Sequence, residues 1–119
     1  MNLSHIVQRG WDAVGARDFD TLIIDYVDDM TFVMPGQEDI LRGRRTFRKV
    51  LNNFGGLLPP GFEITALRHI ETGNEVVSIV EWKADKVAFS QLSVLFQFEG
   101  EKIYEERWFV DTEQWKSLF

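Results

Sequence analysis

Apolar residues are spaced for helices in the first half of the chain and for strands in the second. Over residues 3–16, Val7, Trp11 and Val14 fall on one helical stripe, with Ile6 and Ala13 beside it. Gly10 and Gly15 each weaken this helix by about 1 kcal/mol relative to Ala. Gly10 lies close to the stripe, where a missing side chain lets another element or a ligand approach. Asp18 suits an N-cap. After it, Phe19, Leu22, Ile23, Tyr26 and Val27 recur at helical spacing, which predicts a second helix ending at Asp28-Asp29. Carboxylates oppose the dipole at a helix C-terminus, so that pair reads as a solvated turn rather than a catalytic dyad. A short strand is expected over residues 30–34, stopped by Pro35-Gly36, and a polar loop over residues 37–41 at the mouth of any cavity. Gly43 leads into a third helix with Phe47, Val50, Leu51 and Phe54 on one face, ended by Gly55-Gly56.

From Pro59-Pro60-Gly61 onward the period changes to two. Strands are expected over 62–71, 75–84, 88–98 and 102–111, with turns at Thr72-Gly73-Asn74, near Asp85-Lys86, and at Glu99-Gly100-Glu101. In the third of these, Leu92, Val94, Phe96 and Phe98 alternate with Gln91, Ser93, Leu95 and Gln97. Asp111 caps a terminal helical turn with Gln114 three residues on, and Trp115 and Phe119 can fold back onto the body. Helices followed by an antiparallel meander predict an α+β domain, with three N-terminal helices packed on a strongly curved sheet. A twisted sheet that curls around helices on one side leaves a cone-shaped cavity.

The last strand carries the strongest chemical signal. Strict alternation puts Tyr104, Glu106, Trp108 and Val110 in one row and Ile103, Glu105, Arg107, Phe109 and Asp111 in the other. A lone carboxylate between two large aromatics suits a small apolar pocket with one polar handle. Glu106 is therefore the leading site candidate. The plainer alternative is an edge or dimer-face strand whose Glu106 meets solvent or an Arg.

At 119 residues the chain is one domain, residues 1–119, large enough for a core without staples. Ten Phe and four Trp supply deep packing or cavity walls. The net charge of −6 argues against a nucleic-acid partner. The one basic cluster, Arg42, Arg44, Arg45, Arg48 and Lys49, fits a solvated helix face better than a phosphate site. With no cysteine there is no thiol chemistry and no disulfide, which suits a reducing cytoplasm. No apolar run approaches the ~20 residues of a membrane span. The N-terminus lacks a signal pattern, and a cytoplasmic protein is expected. His5 and His69 are too far apart, with no Cys, to suggest a metal site. With Phe62, Ile64 and Ala66 on the other face of its strand, His69 is expected to point outward.

The order of these pieces resembles a known group. Ala16-Arg17-Asp18-Phe19-Asp20, Val27-Asp28-Asp29-Met30-Thr31-Phe32, Pro35-Gly36, Gly43-Arg44-Arg45 and the closing Lys102-Ile103, Arg107 and Asp111 together resemble the SnoaL-like branch of the nuclear transport factor 2-like superfamily, the polyketide cyclases and their relatives. The resemblance spans nearly the whole chain and speaks to fold more than to reaction. Residue by residue, the family's catalytic sets are missing. Where ketosteroid isomerases, a worked example of tuned carboxylates, have a Tyr, a base and a protonated Asp, this chain has Gly10, Met34 and Val94. Where limonene-epoxide hydrolase-like members need an Arg and two Asp, it has Trp82, Ala84 and Trp108. The acid of the SnoaL-like cyclases also falls at or near Trp108.

The resemblance also implies that Trp82, Ala84 and Trp108 point into the cavity, and by alternation Ser78, Val80, Tyr104 and Glu106 with them. The expected walls from the first half of the chain are Trp11, Tyr26, Phe32, Met34, Phe47 and Phe54. Those from the sheet are Trp82, Val94 and Trp108, beside Tyr104 and Glu106. Burial among aromatics would raise the pKa of Glu106 and fit it for proton transfer on a small apolar carbonyl or polyketide-like compound, with Tyr104 or Tyr26 as donor. The alternatives are a non-catalytic cavity holding a small hydrophobic molecule and a structural dimer with a filled core. Neither the residues nor the resemblance calls for a cofactor. On the back of the sheet, Glu81, Lys83, Glu105 and Arg107 are placed for cross-strand ion pairs. Relatives dimerise through that face, so a homodimer is expected.

Overall fold

A computed structural model describes residues 2–34 and 40–119, except the side chain of Phe54 and the burial of Gly56. The Pro35-Gly36 stop, most of the loop expected over 37–41, and Phe54 as a cavity wall lie outside the described residues. The elements are α1 (Leu3–Gly15), α2 (Phe19–Ile23), β1 (Tyr26–Val33), β2 (Leu41–Arg42), α3 (Arg44–Leu51), a 3-10 turn (Phe54–Leu57), β3 (Glu63–Thr72), β4 (Glu75–Ala84), β5 (Val87–Glu99), β6 (Lys102–Phe109) and α4 (Thr112–Ser117). The sheet runs β2-β1-β6-β5-β4-β3. Among the described residues, β1 and β6 pair in parallel and the other neighbouring pairs are antiparallel. No described helix is long and apolar enough to cross a membrane.

Local chemistry sets the helix ends. Asn2 accepts from the His5 N–H at 3.1 Å and starts α1, and Asp18 accepts from the Thr21 N–H at 3.2 Å and starts α2. The Asp111 side chain accepts from the Gln114 N–H at 3.0 Å, which makes the expected cap of α4. The second helix is shorter than its periodicity predicts. It stops at Ile23, and Tyr26 and Val27 begin a strand. Tyr, Val, Thr and Phe from 26 to 33 favour the pleated state. The Ile103 N–H donates to the Asp25 carbonyl at 2.8 Å and draws the segment onto β6. Helical spacing from Tyr26 to Met30 survives because both are buried on one side of an irregular strand. Asp28 and Asp29 therefore sit on β1, not in a turn, and Asp28 pairs with Arg44 at 2.7 Å.

Two one-residue bulges decide which side chains face the helices. On β3 the register passes from Ile64↔Trp82 to Ala66↔Glu81, leaving Thr65 extra. On β6 it passes from Phe98↔Ile103 to Gln97↔Glu105, leaving Tyr104 extra. A single inserted residue reverses the facing of everything beyond it. On β5, where alternation runs unbroken from 92 to 98, the expected row Leu92, Val94, Phe96 and Phe98 is buried.

The core lies between this inner sheet face and the helices. Met30, Val76, Ser78, Val80 and Val94 are wholly buried. The α4 end is closed by a separate aromatic group. Trp82 packs on Phe62 and Trp115, with ring centroids 5.2 and 5.5 Å away. On the back face the ion pairs are Lys83–Glu63 at 3.5 Å and Arg107–Glu105 at 3.3 Å. The pairing expected between 81/83 and 105/107 does not form, because β5 runs between β4 and β6.

Candidate functional site

A cavity of about 50 Å³ opens between α1, α3 and the β1–β6–β5 part of the sheet. Its walls include Trp11 from α1, Tyr26 and Phe32 from β1, Phe47 from α3, Phe96 from β5, and Glu106 and Trp108 from β6. The rings brace one another. Phe47 lies 5.2 Å from both Tyr26 and Phe32, and Trp11 lies 6.0 Å from Trp108 and 6.3 Å, edge-on, from Phe96.

Glu106 is 6% exposed. The Tyr26 hydroxyl donates to its Oε1, and the Trp108 indole N–H donates to its Oε2 at 2.8 Å. Among the described residues no cation pairs with it. Loss of water raises the Glu106 pKa above its ordinary value, and the two donors pull part of the way back. Burial, followed by the neighbouring carboxylate and the hydrogen bond to it, pushes the Tyr26 phenol far up, so it stays protonated.

Asp25 forms another part of the wall. It is 8% exposed and is held by a two-point grip from Arg9: Nε to Oδ2 at 3.1 Å and Nη2 to Oδ1 at 2.7 Å. The sequence holds no local signal for this residue, because it falls inside the expected second helix, off its apolar stripe.

Behind Trp11 runs a directional chain of hydrogen bonds. The Trp11 N–H donates to Ser78 Oγ at 3.1 Å, and Ser78 lies 2.9 Å from His69 Nδ1. His69 Nε2 lies 2.8 Å from Gln8 Oε1, and the Gln8 amide donates to Asp12 at 3.0 Å. Donor and acceptor inventory fixes the order. The Gln8 oxygen can only accept, so His69 carries its proton on Nε2, and Nδ1 accepts from the Ser78 hydroxyl. His69 thus faces the helices, not outward as alternation predicts; the bulge at Thr65 turns it in. Burial lowers its pKa.

The expected walls divide accordingly. Trp11, Tyr26, Phe32, Phe47, Glu106 and Trp108 come together around one cavity. Tyr104 does not join them. It is the bulged residue, half-buried, and Ile103 takes the inward place instead. Trp82 and Val94 are core rather than wall, Trp82 in the aromatic group under α4 and Val94 opposite Trp108 on β5. Met34 packs half-buried against the core without lining the cavity. Gly10 does line it; a Cβ there would stand 3.3 Å from Leu22 Cδ1. Phe96 and Ile103 are walls that the sequence reading leaves out.

Helices folded over one face of a curved, six-stranded sheet give the nuclear transport factor 2-like fold, which solved structures of NTF2-like proteins share. The SnoaL-like domain model matches residues 7–106, and the chain belongs to that family. Bal32a, from a soil-derived mobile gene cassette, is 20% identical with a TM-score of 0.80, covering 98% of this chain and 95% of that one. A protein named as a candidate polyketide cyclase from Xanthomonas campestris pv. campestris is 14% identical, with a TM-score of 0.78 and coverage of 98% and 95%. TerC, co-crystallized with polyporic acid, is 17% identical, with a TM-score of 0.76 and coverage of 98% and 96%. No curated protein matches the chain. At these identities the structural likeness carries the fold alone.

Proposed function

We propose that this SnoaL-like chain binds a small hydrophobic molecule in the aromatic cavity and that Glu106 exchanges a proton with it, in chemistry of the isomerase, cyclase or lyase kind. The observation that supports this reading is a buried carboxyl, with a raised pKa and two fixed donors, in the wall of an otherwise apolar hollow. A carboxyl whose protonation changes closer to neutral pH is suited to general acid–base work. Tyr26, not Tyr104, is the hydroxyl placed to support it. The cyclase name of the Xanthomonas protein puts polyketide- or steroid-like ligands first in a screen, and polyporic acid, co-crystallized with TerC, joins them as an aromatic quinone. A cavity of about 50 Å³ holds only a few heavy atoms within its walls, whereas sites for drug-sized ligands span roughly 300 Å³ or more. A polycyclic body therefore either extends out through the open mouth or displaces the ring walls.

A second reading, a binding module without turnover, draws support from Gly10, Met34 and Val94. None of them can replace the acid–base groups of the isomerases. Native mass spectrometry over a screen of apolar carbonyl and aromatic compounds, followed by product analysis of each binder, separates the two. A bound compound that is converted supports catalysis; one recovered unchanged supports the binding module; no binder at all overturns both.

We also propose that two copies associate through the back of the sheet, where Ile70, Phe89 and Phe109 stand exposed beside the paired charges of Glu63–Lys83 and Glu105–Arg107.

A further inference from the structure

We infer that the molecule taken by this cavity is a cation: a small protonated amine with an apolar substituent, its ammonium group against Glu106 and its carbon chain against the Trp11 and Trp108 rings. The inference rests on the cavity being a ligand site and names the chemistry of its occupant.

The hydrogen bonds at Glu106 run toward the carboxyl. The Trp108 indole N–H can only donate, and it is aimed at Oε2. The Tyr26 hydroxyl is aimed at Oε1. To accept from a neutral carboxylic acid instead, Tyr26 would have to turn its own proton away. Among the described residues the Tyr26 hydroxyl makes no other hydrogen bond. Two donors converging on the two oxygens is the arrangement that suits an anion, and each oxygen keeps a further lone pair for a third donor.

Among the described residues, nothing neutralises this anion. Arg9 is held by Asp25 at 2.7 Å and Arg44 by Asp28 at 2.7 Å. Lys102 donates to the Ile24 carbonyl at 2.6 Å, and Arg107 is paired with Glu105 at 3.3 Å. A buried carboxylate without a counter-charge is costly, and a cationic ligand offsets that cost as no neutral one does. The walls fit the same occupant. Trp11 and Trp108, packed together with centroids 6.0 Å apart, and Phe96, edge-on to Trp11 at 6.3 Å, give the carbon chain an apolar aromatic wall. The net charge of −6 favours cations before they reach the mouth. The cavity volume of about 50 Å³ suits a short alkylamine.

The test is an NMR titration of the full chain at pH 7 and constant ionic strength, following the indole N–H signals of Trp108 and Trp11. The probes are propylammonium chloride, propan-1-ol and sodium propionate. Propylammonium is expected to bind about tenfold or more tighter than propan-1-ol, the ratio separating a charge-assisted from a neutral hydrogen bond. Propionate is expected to leave both signals in place. In Glu106→Gln the preference for the amine over the alcohol should disappear. The wild-type comparison decides the matter even if that variant folds poorly. Equal binding of amine and alcohol, or binding of propionate, overturns the cationic assignment while leaving the cavity a ligand site. Silence of both indole signals with all three probes overturns the cavity reading as well.

Discussion

Replacing Glu106 by Gln gives a stability signature that depends on pH in a sense opposite to that of an ordinary paired carboxylate. The substituted amide keeps one acceptor oxygen but presents an NH2 where the second oxygen was. Either the Trp108 indole or the Tyr26 hydroxyl then loses its acceptor, and a buried unpaired donor costs about 1–3 kcal/mol. That penalty is independent of pH. Superimposed on it is the titration of Glu106 itself. Its pKa is raised in the folded state by burial, so between the two midpoints the folded protein holds a proton that the unfolded chain has released. The stability this gives the wild type is fully present below the ordinary Glu value of 4.5 and is lost as pH rises through the folded pKa. Each pH unit between the two midpoints is worth about 1.4 kcal/mol. Urea unfolding of both proteins from pH 4 to 8 should show the variant less stable by about 1–3 kcal/mol at the acid end. The gap should close, or change sign, as pH rises. The lowered carboxyl pKa values of Asp18 and Glu71 act in both proteins and cancel in the difference. A difference that stays flat across this range, or widens with rising pH, would refute the account of a desolvated Glu106.

Three further outcomes follow from the contacts around the cavity and on the sheet's back. Ser78→Ala removes the acceptor of the Trp11 N–H and the donor to His69; calorimetry or urea unfolding should show a loss of about 1–3 kcal/mol, with a shift in Trp fluorescence. Arg9→Met leaves Asp25 in the wall without its two-point partner; because Arg9 is half exposed, unfolding should report only about 1–2 kcal/mol, more at low salt than at high. Phe109→Glu puts a charge on a residue that is 50% exposed on the back face; light scattering at micromolar concentration should show a dimer for the wild type and a monomer for the variant, and a wild-type monomer contradicts the back-face interface.

The periodicities carry the architecture: helical spacing up to Phe47 and Leu51, then period two along β4 and β5, are enough for helices over a curved sheet. They mislead where a strand imitates a helix. Tyr26 and Met30 stand four apart and both face inward because β1 is irregular against β6, so the helix read through Val27 ends in fact at Ile23. They mislead again at the two bulges. Alternation assumes an unbroken pleat, and no residue near Thr65 or Tyr104 marks the insertion. Ungapped reading therefore puts His69 outside, whereas it faces the helices, and Tyr104 in the cavity wall, whereas it is the half-buried bulged residue. Glu106 and Trp108, beyond the bulge, are assigned inward through the family resemblance, and they do face the cavity. Trp82 shows a different limit. It faces inward as expected, but the space beneath it is filled by Trp115 of α4, and whether an inward aromatic meets a hollow or a helix depends on packing that the strand pattern does not contain. Its indole N–H is the one buried side-chain polar atom without a partner among the described residues. Asp25 and Arg9 meet across a sequence separation of sixteen, with no motif to announce the pair.

The central claim is that Glu106 is a carboxyl taken out of water inside a ligand cavity. The most direct measurement is the pH titration of its side-chain carboxyl carbon by NMR, assigned by comparison with Glu106→Gln. The account predicts a midpoint clearly above 4.5, moving when a ligand occupies the cavity. A midpoint at or below 4.5, unmoved by every bound compound, would contradict it.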